Sequence, residues 1–181
     1  IHAQVDKFLK TLMHLIKITK AEKLVIVGDL KHMVPGISLR EDRELLRFFE
    51  PLTKKVKVIL VRGNHDTGLK NLLPKEIKVY GSRGMKIGKY GFFHGHAWPA
   101  KNLIKCDHLF MGHLQPGIEF NDEIGYRAVE QVWLKCEFER KKIEEHYKTK
   151  NLGRMELTIL PAFVFLDTTP KSLARTNLFC T

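Results

Sequence analysis

Thiols are scarce in this 181-residue sequence, and the few present are badly placed for cross-linking or metal capture. Cys106, Cys136 and Cys180 are scattered, with no CxxC pair among them. That spacing excludes a structural thiolate zinc site, and an odd count gives no disulfide framework, so the pattern fits a reducing cytoplasm. Long hydrophobic runs are missing as well. No apolar stretch approaches membrane-spanning length and no signal peptide is visible, which argues against a membrane partner. Internal repeats and low-complexity segments are absent. Acidic residues are in deficit, 20 against 31 Lys and Arg, for a net charge of +11. Such an excess favours a polyanionic partner through counterion release and long-range attraction. The lysines, however, spread along the whole chain with modest clusters at Lys54-Lys55-Lys57 and Arg140-Lys141-Lys142. A solubilising surface explains them equally well.

What is present suffices for a packed interior: 44% hydrophobic and 28% charged residues in a chain long enough to bury a core without disulfides. Val5, Phe8, Leu9, Leu12, Leu15 and Ile16 recur three or four apart, predicting an amphipathic helix over Ala3 to Lys20. Leu24 to Val27 reads as a short buried strand. Leu39 to Leu52, with Ser38 as N-cap, reads as a second helix, and Val56 to Val61 as a second strand. A short helix is expected at Leu69 to Leu73, and short strands at Ile77 to Tyr80, Met85 to Ile87 and Tyr90 to Phe93. A helical stretch at Ala100 to Lys105 precedes a strand at Asp107 to Met111. Val132 to Phe138 alternates like a half-exposed strand, Lys141 to Asn151 is a charged connection, and Glu156 to Phe163 is the last strand. The order indicates an α/β fold, whose ligands gather beyond the carboxyl ends of the strands. Residues 1–166 form one domain in this reading, and 167–181 a tail with little pattern.

Several strands end abruptly in polar residues. Leu24 to Val27 runs into Gly28-Asp29, Val58 to Val61 into Arg62-Gly63-Asn64-His65-Asp66, Phe92-Phe93 into His94-Gly95-His96, and Phe110-Met111 into Gly112-His113. Taken singly, each is compatible with an ordinary turn, a capping Asp or a structural histidine. Taken together, a carboxylate, an amide oxygen and two imidazoles make a mixed oxygen and nitrogen donor set suited to Mn, Fe or Zn. His32, His96 and Arg62 lie near these turns and are candidates to touch substrate. A surface loop role for His32, a supporting role for His96 and a solvated face for Arg62 are equally compatible with the sequence. His108, inside a strand, reads as structural.

The ordered set Gly28-Asp29, Gly63-Asn64-His65-Asp66, His94 and Gly112-His113 resembles the calcineurin-like metallophosphoesterase superfamily. Gly28 to His32 and His94 to Pro99 strengthen the resemblance to SbcD-related phosphoesterases of archaeal type. The resemblance implies a four-layer α/β/β/α sandwich of two mixed sheets. It also implies a two-metal site: Asp29 bridging, Asn64, His94 and His113 completing the second metal, His65 as general acid toward the leaving oxygen, and Asp66 orienting it. Two cations about 3.5–4 Å apart neutralise phosphoryl oxygens and supply a hydroxide nucleophile. Two departures stand out. The family's first D-x-H motif does not occur before Leu24, so the fold is expected to lack its first strand here, and the start at Ile1 reads as truncated or processed. Gln115 occupies the last histidine of G-H-x-H, where an amide oxygen suits a hard cation but binds more weakly than imidazole. The resemblance therefore implies a metal-dependent phosphodiesterase or nuclease using a divalent ion, Mn first and Fe, Zn, Mg or Ni as alternatives, on nucleic acid or a nucleotide. The other reading is a metal-binding scaffold or nucleic-acid-binding protein of the same fold without activity.

Overall fold

A computed structural model describes residues 2–30, 41–69 and 72–163. These fall into two compact units divided after Ser82.

In the first unit, helix α1 (His2–Thr19) and helix α2 (Glu41–Thr53) accompany a three-stranded sheet, β1 (Lys23–Ile26), β2 (Lys57–Val61) and β3 (Lys78–Tyr80), in the order β1-β2-β3. Both pairings are parallel, with Ile26 opposite Leu60 and Val61 opposite Tyr80. The three-to-four spacing in α1 buries Val5 and half-buries Phe8, Leu12 and Ile16 in a cluster with Leu45, Phe48, Phe49 and Leu52 of α2 and Val58 and Leu60 of β2. Phe48 and Phe49 meet edge to face at 5.0 Å. Four consecutive residues of β2 are buried, which is why that strand reads as a continuous apolar run.

In the second unit a five-stranded sheet has the order β4-β5-β6-β10-β9, from β4 (Met85–Ile87), β5 (Tyr90–Phe93), β6 (His108–Met111), β9 (Leu134–Cys136) and β10 (Glu156–Ile159). The β5–β6 and β6–β10 pairings are parallel, while β4–β5 and β9–β10 are antiparallel. The expectation of mixed sheets thus describes the second sheet, whereas the three described strands of the first all run parallel. Helix α3 (Arg140–Tyr147) turns Ile143 and Tyr147 inward onto Leu103, Leu109, Leu157 and Ile159. The charged connection is therefore helical, and the expected helix at Ala100 to Lys105 is a single 3-10 turn, Leu103–Lys105. The strand expected over Val132 to Phe138 is shortened to β9, and the one over Glu156 to Phe163 to β10.

Between β6 and β9 stands a hairpin absent from the sequence-based expectation, β7 (Gly117–Asn121) and β8 (Arg127–Gln131), which forms a sheet of two strands. Its turn is organised by Asp122, whose Oδ1 accepts from the Ile124 and Tyr126 amides at 3.1 and 2.7 Å. The Ser38 cap, the loop bearing His32 and the 167–181 tail lie outside the described residues, as does part of the expected helix at Leu69 to Leu73.

Candidate functional site

The polar strand ends fall into two clusters, one in each unit. In the first, β1 and β2 are parallel neighbours in register, so the turns that follow them emerge side by side. Gly28 and Asp29 are both left-handed, with φ of 87° and 58°. Among non-glycine residues Asp is one of the few that tolerates this region, and it does so at some cost. Beyond β2, the Asp66 amide donates to the Gly63 carbonyl at 3.4 Å, closing a turn with Asn64 and His65 exposed at its centre. Arg62 is also exposed, and its amide extends the β2–β3 pairing by donating to the Tyr80 carbonyl.

Asp66 has a part here that its position in the sequence did not announce. Its side chain is buried, 1% exposed, and Oδ2 accepts from the Gly63 amide at 2.8 Å and from the Asp29 amide at 2.9 Å. One carboxylate oxygen therefore ties together two turns 37 residues apart. Asp29 reciprocates, with Oδ1 accepting from the His65 amide at 3.4 Å. A buried carboxylate is tolerated because donors meet it, and bonds to an ionised acceptor are about twice as strong as neutral ones. The pair holds Asp29 and the exposed Asn64-His65 turn in a fixed relation.

The second cluster repeats the grammar. β5 and β6 are parallel, with Phe93 opposite Met111, and their continuations bring His94 and His113 together. Nδ1 of His113 lies 3.2 Å from Nε2 of His94, and the rings, 5.0 Å apart between centroids, meet nearly edge to face. His96 joins them at 5.1 Å from His94 and 6.0 Å from His113. His94 is buried, 1% exposed. The Leu114 amide donates to the Gly112 carbonyl at 2.7 Å, closing a three-residue turn around His113 at φ 66°. Tight turns of that hand are rare and strained, and strain of this kind gathers at ligand-holding positions. Gln115 follows, also left-handed at φ 47°, and exposed.

Gly95 makes the cluster possible. At φ 120°, a Cβ there would sit 2.8 Å from Met111 Cγ, 2.9 Å from its sulfur and 3.2 Å from the His113 Cβ. Only a residue without a side chain lets the His94 and His96 segment lie this close to the β6 continuation. The segment is braced from behind by α3: Trp98 stacks on His146 at 3.8 Å and 12°, and the Tyr147 hydroxyl donates to the Pro99 carbonyl. Burial raises the Tyr147 hydroxyl above its ordinary range, with the Arg83 charge opposing. The clue to Gly95 was its place between two histidines; nothing comparable pointed to the Trp98–His146 stack. His108, as expected, is structural, its Nδ1 2.9 Å from the Glu156 carboxylate on the neighbouring strand.

The donors fit a hard or borderline divalent ion. In the second cluster, two ring nitrogens 3.2 Å apart need a shared proton or a shared cation between them; in the first, the Asp29 carboxylate and the Asn64 amide are oxygen donors of the kind such ions also accept.

Residues 1–147 match the family described as calcineurin-like phosphoesterase. No curated protein matches the sequence. Among solved structures, the Pseudomonas putida nuclease MPE is similar in fold, with a TM-score of 0.54 and 20% identity over 96% of this chain and 74% of that one.

Proposed function

The chain belongs to the calcineurin-like phosphoesterase family, enzymes that hydrolyse phosphoesters with divalent metals, and on that premise we propose that it cleaves phosphodiesters, with nucleic acid or a nucleotide as substrate. The observation that carries the reading is the repeated placement of a metal-competent side chain just past a parallel strand, at Asp29, Asn64, His94 and His113. The net charge of +11 and the similarity in fold to a nuclease support a polyanionic substrate.

Asp29, Asn64, His94 and His113 would hold the metal, with Gln115 as a weaker oxygen donor. Such an ion neutralises phosphoryl oxygens and activates water for attack. The chain's own groups do the rest. His65, exposed on its turn, would meet a substrate phosphate and give its proton to the leaving oxygen. Asp66 keeps that turn in place through Gly63 and Asp29. Arg62 and His96 are offered to the substrate from exposed positions, and His32 completes the proposed contacts. Manganese is the proposed metal. The described residues contain no helix long and apolar enough to cross a membrane. The cysteine pattern supports a cytoplasmic site of action.

The test is hydrolysis of bis(p-nitrophenyl) phosphate, p-nitrophenyl phosphate and a single-stranded oligonucleotide with added Mn²⁺. Diester turnover exceeding monoester turnover, lowered about 10²- to 10⁴-fold in His65→Ala, is expected. Monoester preference would overturn the diester assignment. Gln115, in place of the family's last histidine, favours a second reading, metal binding without turnover. Mn²⁺ binding with no hydrolysis of any substrate would establish it.

A further inference from the structure

The β7–β8 hairpin exposes more apolar surface than any solvent-facing function requires. Ile124 at its tip is 92% exposed, Tyr126 68% and Trp133, just beyond β8, 66%, while Ile118 and Phe120 are also exposed on alternate positions of β7. From the usual areas of such side chains, these five present on the order of 600 Å². That is near the upper end for the largest apolar patch of a monomer, and close to the roughly 800 Å² each partner gives to a standard interface. A lone two-stranded hairpin is marginally stable in water, so a cover also has a structural use.

Charge identifies the cover. Residues 117–131 carry four carboxylates, Glu119, Asp122, Glu123 and Glu130, against one guanidinium, Arg127, on a chain whose net charge is +11. An acidic apolar hairpin repels both nucleic acid and a second copy of itself, and suits a basic apolar face. Helix α1 offers one. Lys7, Lys10, His14 and Lys17 recur at spacings of three and four along its exposed side, beside exposed Leu15 and Ile18. The acidic Asp6 is half-buried and engaged with Arg47 at 3.1 Å.

We infer that the chain self-associates, the β7–β8 hairpin of one copy docking on the lysine face of α1 of a second copy. Ile124, Tyr126 and Phe120 supply the apolar contact with Leu15 and Ile18, and Glu123 and Glu130 face the lysines. Asp122 keeps the turn ready by holding the Ile124 and Tyr126 amides.

Sedimentation velocity of the full chain across low to high micromolar concentration tests this. The expected result is a species of at least twice 21.0 kDa that gains population with concentration and loses it in high salt. Ile124→Asp and, separately, Lys10→Glu with Lys17→Glu should each return a monomer with an unchanged circular dichroism spectrum. Combining Glu123→Lys and Glu130→Lys with the helix reversals should restore association at least tenfold over either set alone. A chain that stays at 21.0 kDa throughout overturns the inference, as does association that survives both single sets. Loss on the hairpin variant without loss on the helix variant refutes α1 as the seat. None of these readouts depends on hydrolysis or on metal.

Discussion

Replacing Asp66 with Ala should destabilise the protein well beyond the usual effect of a surface substitution. The side chain is 1% exposed and its Oδ2 is acceptor to two backbone amides, the buried one of Gly63 and the partly buried one of Asp29. Each orphaned buried donor costs about 1–3 kcal/mol, less when water can reach it. The sum is about 2–4 kcal/mol, a large share of the roughly 5–15 kcal/mol that a domain possesses. For a chain of this size the melting temperature should fall by roughly 8 °C. Asp66→Asn keeps a neutral oxygen in the same place and should lose only about 1 kcal/mol, the difference between a charge-assisted and a neutral acceptor. Urea unfolding in EDTA separates these values from any metal effect. A loss under about 0.5 kcal/mol for the alanine variant would refute the clamp. Equal losses for both variants would place the stabilisation in charge and not in amide capture.

Gly95→Ala should cost about 2–4 kcal/mol by overpacking and backbone strain, because the new methyl meets Met111 at 2.8 Å at φ 120°. Thermal melts should show Gly95→Ala costing less in a Met111→Ala background than in the parent, because the truncated side chain leaves room for the new methyl. Tyr147→Phe leaves the Pro99 carbonyl without its buried donor and should cost about 1–2 kcal/mol. The raised folded-state value of Tyr147 also sets a sign: its stabilising contribution is complete below pH 10.0 and is lost as pH rises above that, and alkaline unfolding of the phenylalanine variant should lack this component. Mn²⁺ at a hundred times its dissociation constant should stabilise the parent by about 2.7 kcal/mol, and His94→Ala should abolish most of that gain in a melting assay.

The elements that bury an apolar run were legible in the residues themselves. β2 and β6 announce their ends because hydrophobic side chains stop where a turn begins, and that boundary placed Asn64, His65 and His113. The β7–β8 hairpin escaped because its apolar residues, Ile118 and Phe120, face solvent, so no buried side organised the pattern. The Asp66 clamp escaped for a different reason. It joins amides in two turns whose strands are adjacent in space but distant in the chain, and a local reading assigns Asp66 to its neighbour His65 without seeing Asp29. The left-handed backbone at His113 is likewise a tertiary matter, imposed by the three-residue turn onto which β6 opens.

The left-handed backbones at Asp29 and His113 set folding against chemistry. Glycine would relieve about 1 kcal/mol or more of backbone strain at each site, so each side chain is kept in a conformation that the backbone alone disfavours. That strain is a standing pressure toward glycine at two positions on which the proposed metal binding would depend. A selection for thermostability run without metal would act on that strain and, on the proposed reading, report success while discarding metal ligands. Any stabilised version of this protein has to be bred with the cation present, or with these two positions held fixed.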